Sequence, residues 1–452
     1  MTAVGTAYRR QGTLLVGVLT LSAFGPYLLS GLRTEQVAVY AAVLTLAVAA
    51  KWTTVRATHL GMVIVALLGF ELLLAAIGAA LPPENTTRYP LGSALAGLDN
   101  LLLPIAVLMI VWMVLGGGAE RLRLIAVVCW CTVWAMVVNA GLATWATGGG
   151  PNLSSFQGQE GAKTVAARAE QLGRYSGIFN QPAEAGLMYS VALLAAIYLY
   201  RHRPLTLAVT ATAITVGGIL AVSKVFLLVG MPVGLWQILR VTGGRGRRFS
   251  AMMCTAVVVL GGISSGMAPE WAGAKVLLRL LPGSDGEIVA LYTAGRLGDD
   301  STLAVVTEAV LHGSPMVGYG AGGLQVAYDN GWIEALVVGG VVGAVLFTAV
   351  LLTLATAWWK ARRRAENPES TCLAGGLVAV VVGGAVGIPS LTVNRCSTVV
   401  WLLLALLVLS EDARPRVIVG RDRRESSRFP TGRWRLPDHA RLPGPRTGAD
   451  PR

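Results

Sequence analysis

The long apolar segments of this chain restrict its fold more than any other feature. They are about 17–25 residues long, and a helix of that length crosses a hydrocarbon core of roughly 30 Å. Of the 452 residues, 54% are hydrophobic and 13% are charged, whereas soluble domains carry about 25% charged residues. A soluble fold of this size would lack the polar residues needed for its surface. The sequence therefore predicts an all-α integral membrane protein.

The apolar segments predict about twelve transmembrane helices. We expect them at residues 13–31, 35–50, 60–81, 98–116, 124–146, 177–200, 204–222, 224–240, 250–267, 333–359, 371–388 and 397–411. Short basic loops alternate with longer or less basic ones, which are 82–97, 147–176, 268–332 and 389–396. Because Lys and Arg collect in cytoplasmic loops, this alternation predicts that both termini are cytoplasmic and that the longer loops face outward.

Four segments follow from this pattern. Residues 1–267 hold the first nine predicted membrane helices, and residues 333–411 hold the last three. Between them, residues 268–332 are predicted to be a large extracytoplasmic loop, with short surface helices at 269–281 and 301–312. Residues 412–452 are rich in Arg, Pro, Asp and Ser, which predicts a disordered, basic cytoplasmic tail.

Charge and composition argue against several classes of function. The net charge of +13 comes from the basic loops and the tail. Aromatic residues do not alternate with these basic residues, so no nucleic-acid partner is expected. The five cysteines and four histidines lack metal-ligand spacing, so we expect no disulfide framework, no metal and no other cofactor. The glycine-rich stretch at 318–323 lacks the Gly-Lys-Ser/Thr of a nucleotide-binding loop.

Charged residues near the predicted outward ends of the helices are the candidates for chemistry, because charge at membrane depth is costly and usually functional. The cations are Arg174, Lys224, Arg296 and Arg395, and the carboxylate is Asp329. Each has a simpler alternative, since the cations fit snorkelling or loop residues and the aspartate fits a helix N-cap. Together they suit an anionic leaving group, because the cations would stabilise its charge and the carboxylate would accept a proton from an attacking hydroxyl.

Three features carry a resemblance to a known family. The first is the run RYSGIFNQP at 174–182, which is similar to a stretch Arg-x-x-Gly-x-Phe-x-x-Pro. The second is GR at 295–296, followed by GYG at 318–320 and DNGW at 329–332. The third is the predicted architecture, with one large outer loop before the last three helices. Together they resemble the O-antigen ligase/polymerase family of bacterial envelope glycosyltransferases.

The resemblance implies a GT-C-like, metal-independent, inverting glycosyl transfer on the outer face of the cytoplasmic membrane. The donor would be a glycan on undecaprenyl diphosphate, and the catalytic residues would be Arg174, Arg296 and Asp329. Further substrate contacts would come from Lys224, Arg395, Tyr319, Asn330 and Trp332. Ligases tend to have histidine where this chain has Asp329, so the resemblance favours a polymerase. Its expected partners are membrane lipid, a flippase and a chain-length regulator.

Two alternatives remain open at the level of the sequence. A ligase would pass the finished glycan to a lipid or protein acceptor, and only the aspartate at position 329 argues against it. A transporter or flippase would also fit about twelve spans, but transporters usually show internal repeats and polar groups near the midplane. This chain has no such repeat, and Glu71 and Asn139 are its main deep polar residues.

Overall fold

A computed structural model describes residues 3–29, 32–49, 56–80, 94–157, 165–241, 302–323, 328–364 and 367–410. These residues are almost entirely helical, with a single two-stranded hairpin as their only sheet. The prediction of an all-α architecture is confirmed for this part of the chain. The predicted span at 250–267, the predicted surface helix at 269–281, Arg296 and the predicted tail at 412–452 lie outside the described residues.

Fourteen α-helices are present in the described residues. They are α1 (Ala3–Ser22), α2 (Thr34–Ala49), α3 (His59–Ala80), α4 (Ala94–Gly116), α5 (Arg121–Ala146), α6 (Ser154–Gln157), α7 (Val165–Gln171), α8 (Pro182–Tyr200), α9 (Pro204–Leu220), α10 (Met231–Val241), α11 (Thr302–Gly313), α12 (Gly331–Arg364), α13 (Pro368–Gly384) and α14 (Asn394–Leu407). A π-helical turn, Phe226–Gly230, leads into α10. The hairpin strands are β1 (Tyr27–Leu29) and β2 (Leu32–Arg33).

Five of these helices, α3, α4, α5, α8 and α12, are long and apolar enough to cross a membrane. Other apolar helices in the described residues have 10–17 residues, among them α2, α9, α13 and α14. Helices of this composition belong to a membrane-embedded protein. The number of twelve spans and the orientation in the membrane remain predictions. A helix predicted at 301–312 is present as α11, with Val306 and Val310 buried, and its position at the membrane surface remains a prediction.

Several helix ends differ from the predicted spans, and two of these differences have a clear cause in the sequence. The first span was predicted to reach residue 31, but α1 ends at Ser22 because Gly25 and Pro26 turn the chain into the β1–β2 hairpin. The Thr34 hydroxyl donates a hydrogen bond to the carbonyl of Pro26 and so closes this turn. The sixth span was predicted from residue 177, but α8 begins at Pro182, which stands at its first turn.

The contacts between helices define two ends of the bundle. The C-termini of α1, α5, α9 and α13 meet the N-termini of α8, α10, α12 and α14 at one end, which we call the Arg174 end. The other termini of these helices lie at the opposite end of the bundle, which we call the Arg201 end. There Arg201 pairs with Glu369, and the Gln237 side chain donates to the carbonyl of Cys372. Helix α8 is buried along nearly its whole length between them.

Helix α12 is broken at Gly340, where φ is +63° and ψ is −157°. Residues 315–323, which we call the inserted segment, complete the hydrogen bonding at this break. Tyr319 N donates to Val337 O at 2.7 Å, and Val341 N donates to Pro315 O at 2.8 Å. Irregular backbone at membrane depth is tolerated when protein groups satisfy it in this way. The glycine-rich stretch therefore packs as part of the bundle.

Candidate functional site

Residues 174–182 form an ordered loop between α7 and α8, and Asn139 of α5 holds it from below. Asn139 Oδ1 accepts from Ile178 N at 2.8 Å, and its Nδ2 donates to Ser176 O at 3.3 Å and to the Tyr189 hydroxyl at 2.9 Å. Gly177 lies between them with φ of +65°, and a Cβ there would collide with Asn139 Oδ1. This explains why the sequence has an asparagine deep in an apolar helix.

Two further side chains grip the same loop. Gln157 Nε2 donates to Gly177 O at 3.0 Å, and Arg395 Nη1 donates to Ile178 O at 3.0 Å. Arg395 also donates to Phe156 O, lies 5.0 Å from the centre of the Tyr27 ring, and is only 2% exposed. Its guanidinium is thus used for internal carbonyl contacts. The structure places Arg395 beneath the loop rather than on its surface.

Arg174 lies on the opposite side of the loop, against the turn between α9 and α10. Its Nη2 is 3.4 Å from Val222 O, and Tyr175 N donates to Leu220 O at 2.9 Å. Val222 has φ of +47°, a strained conformation for a β-branched residue. Strain of this kind, followed directly by the π-helical turn Phe226–Gly230, is typical of functional sites.

Ser223 and Lys224 follow Val222 in this turn. Ser223 is 1% exposed, and its hydroxyl has no hydrogen-bond partner among the described residues. It lies against Gly186 in the second turn of α8, where a Cβ would collide with the hydroxyl oxygen. The N-terminus of α8 has no side-chain cap, so its positive dipole end faces this region uncapped. Lys224 is half-buried.

A series of contacts connects the turn at 222–224 with Asp329 across the bundle end. A Cβ on Gly387, which follows α13, would lie 3.1 Å from Val225 Cγ2. Neighbouring residues then contact the start of α12, since Gly331 N donates to Ala385 O at 2.8 Å and Asn330 Nδ2 donates to Val386 O at 3.2 Å. Arg174, Lys224 and Asp329 therefore lie on a continuous row of helix-end turns.

At the start of α12, Asn330 rather than Asp329 caps the helix. Its Oδ1 accepts from Trp332 N at 2.9 Å and from Ile333 N at 3.2 Å. The N-cap role considered for Asp329 is thus filled by its neighbour, and the partly exposed carboxylate of Asp329 stands just before the helix. Trp332 Nε1 donates to the Thr348 hydroxyl at 3.1 Å.

Tyr319 and Glu334 lie deeper than Asp329. Tyr319 is 4% exposed and donates its hydroxyl to Ala309 O at 2.9 Å, so it packs the inserted segment against α11. Glu334 is buried and accepts a hydrogen bond from the Thr392 hydroxyl. Glu71 of α3 is 4% exposed and close enough to Glu334 for their charges to interact. The sequence analysis missed Glu334, although a carboxylate one turn into an apolar span was the available signal.

A second group of charges is buried near the hairpin, and its pairings were not predicted from the sequence. Arg33 contacts Glu35 at 3.3 Å and Asp99 at 2.8 Å, and Asp99 also accepts from Gln36 and Tyr40. Glu184 of α8 lies close to Arg395, and Cys396 Sγ is 3.4 Å from Glu184 O. These residues tie the starts of α2, α4, α8 and α14 together. The sequence did not reveal these contacts because Asp99 lies 66 positions from Arg33, and Cys396 lies 212 positions from Glu184.

The structure therefore brings Arg174, Lys224 and Asp329 to one bundle end, keeps Arg395 and Tyr319 inside, and uses Asn330 and Trp332 at the start of α12. Among the described residues, no three His, Cys, Asp or Glu side chains are grouped closely enough to hold a metal ion. No protein-family model matches the chain, and no curated protein does.

Proposed function

We propose that the protein is a polysaccharide polymerase that joins oligosaccharide units carried on undecaprenyl diphosphate. The observation that supports this most is the row of helix-end turns that links Arg174, the strained turn at 222–224 and Asp329. Cations and the uncapped N-terminus of α8 lie at one part of this row, and a partly exposed carboxylate lies at another. This separation of charge suits a diphosphate leaving group and a hydroxyl nucleophile.

In the proposed reaction, the acceptor hydroxyl attacks the anomeric carbon of the donor from the side opposite the diphosphate. The new C–O bond forms as the bond to the diphosphate breaks, and the diphosphate leaves with the electron pair. Arg174 and Lys224 bind the diphosphate and stabilise its growing charge. Asp329 accepts the proton of the attacking hydroxyl. Inversion at the anomeric carbon follows from the single displacement.

The remaining candidates have supporting roles in this proposal. Arg296 is a second diphosphate ligand by the resemblance alone. Asn330 and Trp332 hold the start of α12 and so fix the position of Asp329. We also propose that the Arg174 end faces outward from the cytoplasmic membrane, where lipid-linked units are joined. A flippase and a chain-length regulator would be its neighbours in polymer assembly.

The test uses the purified full-length protein and a synthetic undecaprenyl-diphosphate oligosaccharide, with product size as the readout. Wild type should give a ladder of polymer, whereas Arg174→Ala and Asp329→Asn should leave single units. Arg168→Ala is the matched control, because Arg168 is an exposed arginine on α7 six residues from Arg174. Normal ladders from both site variants would overturn the proposal.

The same experiment separates the alternatives. A ligase would yield no ladder, but would attach the glycan when a lipid or protein acceptor is added. The buried carboxylates Glu71 and Glu334 are the observation that favours a transporter, since such groups within spans often mark a substrate or ion pathway. Transport or flipping in liposomes without any glycosyl transfer would replace the polymerase by that class.

A further inference from the structure

We propose that the Arg201 end carries a binding site for the headgroup of an anionic phospholipid, between α10, α13 and α12. We call it the stacked-arginine corner. It consists of Trp236 and Arg240 on α10, and of Trp358, Trp359, Arg362 and Arg363 on α12. The site lies at the bundle end opposite Arg174 and does not depend on the proposed function.

Arginine stacks on tryptophan on both sides of this corner. The Arg240 guanidinium carbon lies 4.3 Å from the Trp236 ring centre, and that of Arg363 lies 5.1 Å from the Trp359 ring centre. Arg362 lies 5.7 Å from Trp359 and 5.9 Å from Trp358. A stacked guanidinium keeps its N–H groups in the ring-parallel plane, free to bind a phosphate from the side.

The two stacks flank the start of α13 because both neighbouring helices approach it at adjacent glycines. Gln237 of α10 lies against Gly376, and Trp358 of α12 lies 2.9 Å from where a Cβ of Gly375 would stand. Arg240 is close enough to Cys372 of α13 for their charges to interact. The start of α13 therefore lies between the arginines of α10 and those of α12.

Charge around the corner is strongly of one sign. In the described turns at this end, the acidic side chains are Glu120 and Glu369, and Glu369 is paired with Arg201. The basic side chains at this end are Arg10, Arg56, Arg121, Arg123, Arg201, Arg203, Arg240, Lys360, Arg362 and Arg363. Such an excess of cations attracts anionic headgroups at a membrane surface.

The exposed side chains identify a lipid as the occupant. Trp236 is 44% exposed, Trp359 is 46% exposed and the neighbouring Leu239 is 42% exposed. Tryptophan beside apolar surface on one side and arginine on the other matches the boundary between acyl chains and headgroups. A soluble acidic partner would have no use for the adjoining apolar surface. We therefore assign the corner to a phospholipid with a net negative headgroup.

The test is native mass spectrometry of the full-length protein in detergent, titrated with phosphatidylglycerol or phosphatidylcholine. Wild type should retain phosphatidylglycerol in clear preference to phosphatidylcholine. Replacing Arg240, Arg362 and Arg363 together by Gln should lower phosphatidylglycerol retention at least threefold. The control replaces Arg10, Arg123 and Arg203 by Gln, since these exposed arginines lie at the same end and carry the same total charge.

The control variant should keep wild-type retention. Equal losses in both triple variants would show a diffuse charge effect and overturn the site, and so would no loss in the corner variant. Gel filtration and thermal unfolding of each variant check that the bundle is intact. If the corner variant is misfolded, Trp236→Leu alone serves instead, and it should weaken retention because it removes the surface that orients Arg240.

Discussion

Several buried polar side chains at the Arg174 end bind specific backbone atoms, and this is most evident for Asn139. Its amide serves Ser176, Ile178 and Tyr189 at once. Sequence analysis identified Asn139 as a deep polar residue but gave it no role, because its partners are 37 to 50 positions away in the chain. A pattern of local spacing cannot reveal contacts at that separation.

Asn139→Leu should destabilise the protein by about 2 kcal/mol or more, because it leaves the Ile178 amide buried without a partner and removes the bonds to the Ser176 carbonyl and the Tyr189 hydroxyl. Thermal unfolding in detergent measures the effect. Thr144→Ala on the same helix is the control, since the Thr144 hydroxyl bonds only within its own helix, to Ala140 O. Equal stability of Asn139→Leu and wild type would contradict the role assigned to Asn139.

Arg395→Lys tests whether Arg395 holds the loop or binds substrate. Lysine keeps the charge but cannot serve the carbonyls of Phe156 and Ile178 with one planar fork. We expect a lower unfolding temperature with no substrate present. Arg123→Lys, at an exposed position, should leave it unchanged. If Arg395→Lys unfolds like wild type and only raises KM, the sequence prediction of a substrate contact is the better description.

Among the helices, α12 shows both what hydropathy predicts and what it cannot predict. The apolar run predicted a span at 333–359, and the helix is present from Gly331 to Arg364. The break at Gly340 was not predicted, because the inserted segment that stabilises it comes from elsewhere in the chain. The sequence showed only that the glycines at 318–323 do not form a nucleotide-binding loop, whereas the structure shows that they allow close contacts between backbones.

Gly340→Ala should destabilise α12, since its φ of +63° costs an L-residue about 1–2 kcal/mol. In addition, a Cβ would lie 2.6 Å from Pro315 O, so the inserted segment would have to move. The adjacent Gly339 is the control, because a Cβ there meets nothing within 4 Å. Gly339→Ala should be neutral or stabilising by up to about 1 kcal/mol. Chemical denaturation of both variants compares them, and the reverse order would refute this account of the break.

For the whole molecule, the two bundle ends differ in their charges. The Arg201 end is rich in basic side chains, whereas carboxylates such as Glu35, Asp99 and Asp329 lie at the Arg174 end. The sequence predicted this asymmetry from its alternating loops, because loop charge is visible without any knowledge of packing. The buried pairing of Arg33 with Glu35 and Asp99 was beyond its reach, since it joins helices that the chain keeps apart.

The orientation is testable with single cysteines at exposed positions. Arg168→Cys, at the Arg174 end, should react with a membrane-impermeant thiol reagent added to intact cells. Arg203→Cys, at the Arg201 end, should react only after the membrane is permeabilised. Unmodified protein corrects for its own cysteines, of which Cys129, Cys131 and Cys396 are buried. The opposite labelling pattern would reverse the proposed orientation and place the candidate site inside the cell.

The contact between α3 and the inserted segment also bears on how natural variants of this protein can diverge. A Cβ on Gly78 would lie 2.6 Å from the Cα of Gly320, and a Cβ on Gly320 would collide with the backbone of Gly78 and Ala79. A larger residue at either position could not be accommodated by a smaller side chain nearby, because the atoms that it would meet belong to the backbone. We expect these two positions to stay glycine through descent, while the apolar side chains around them exchange freely.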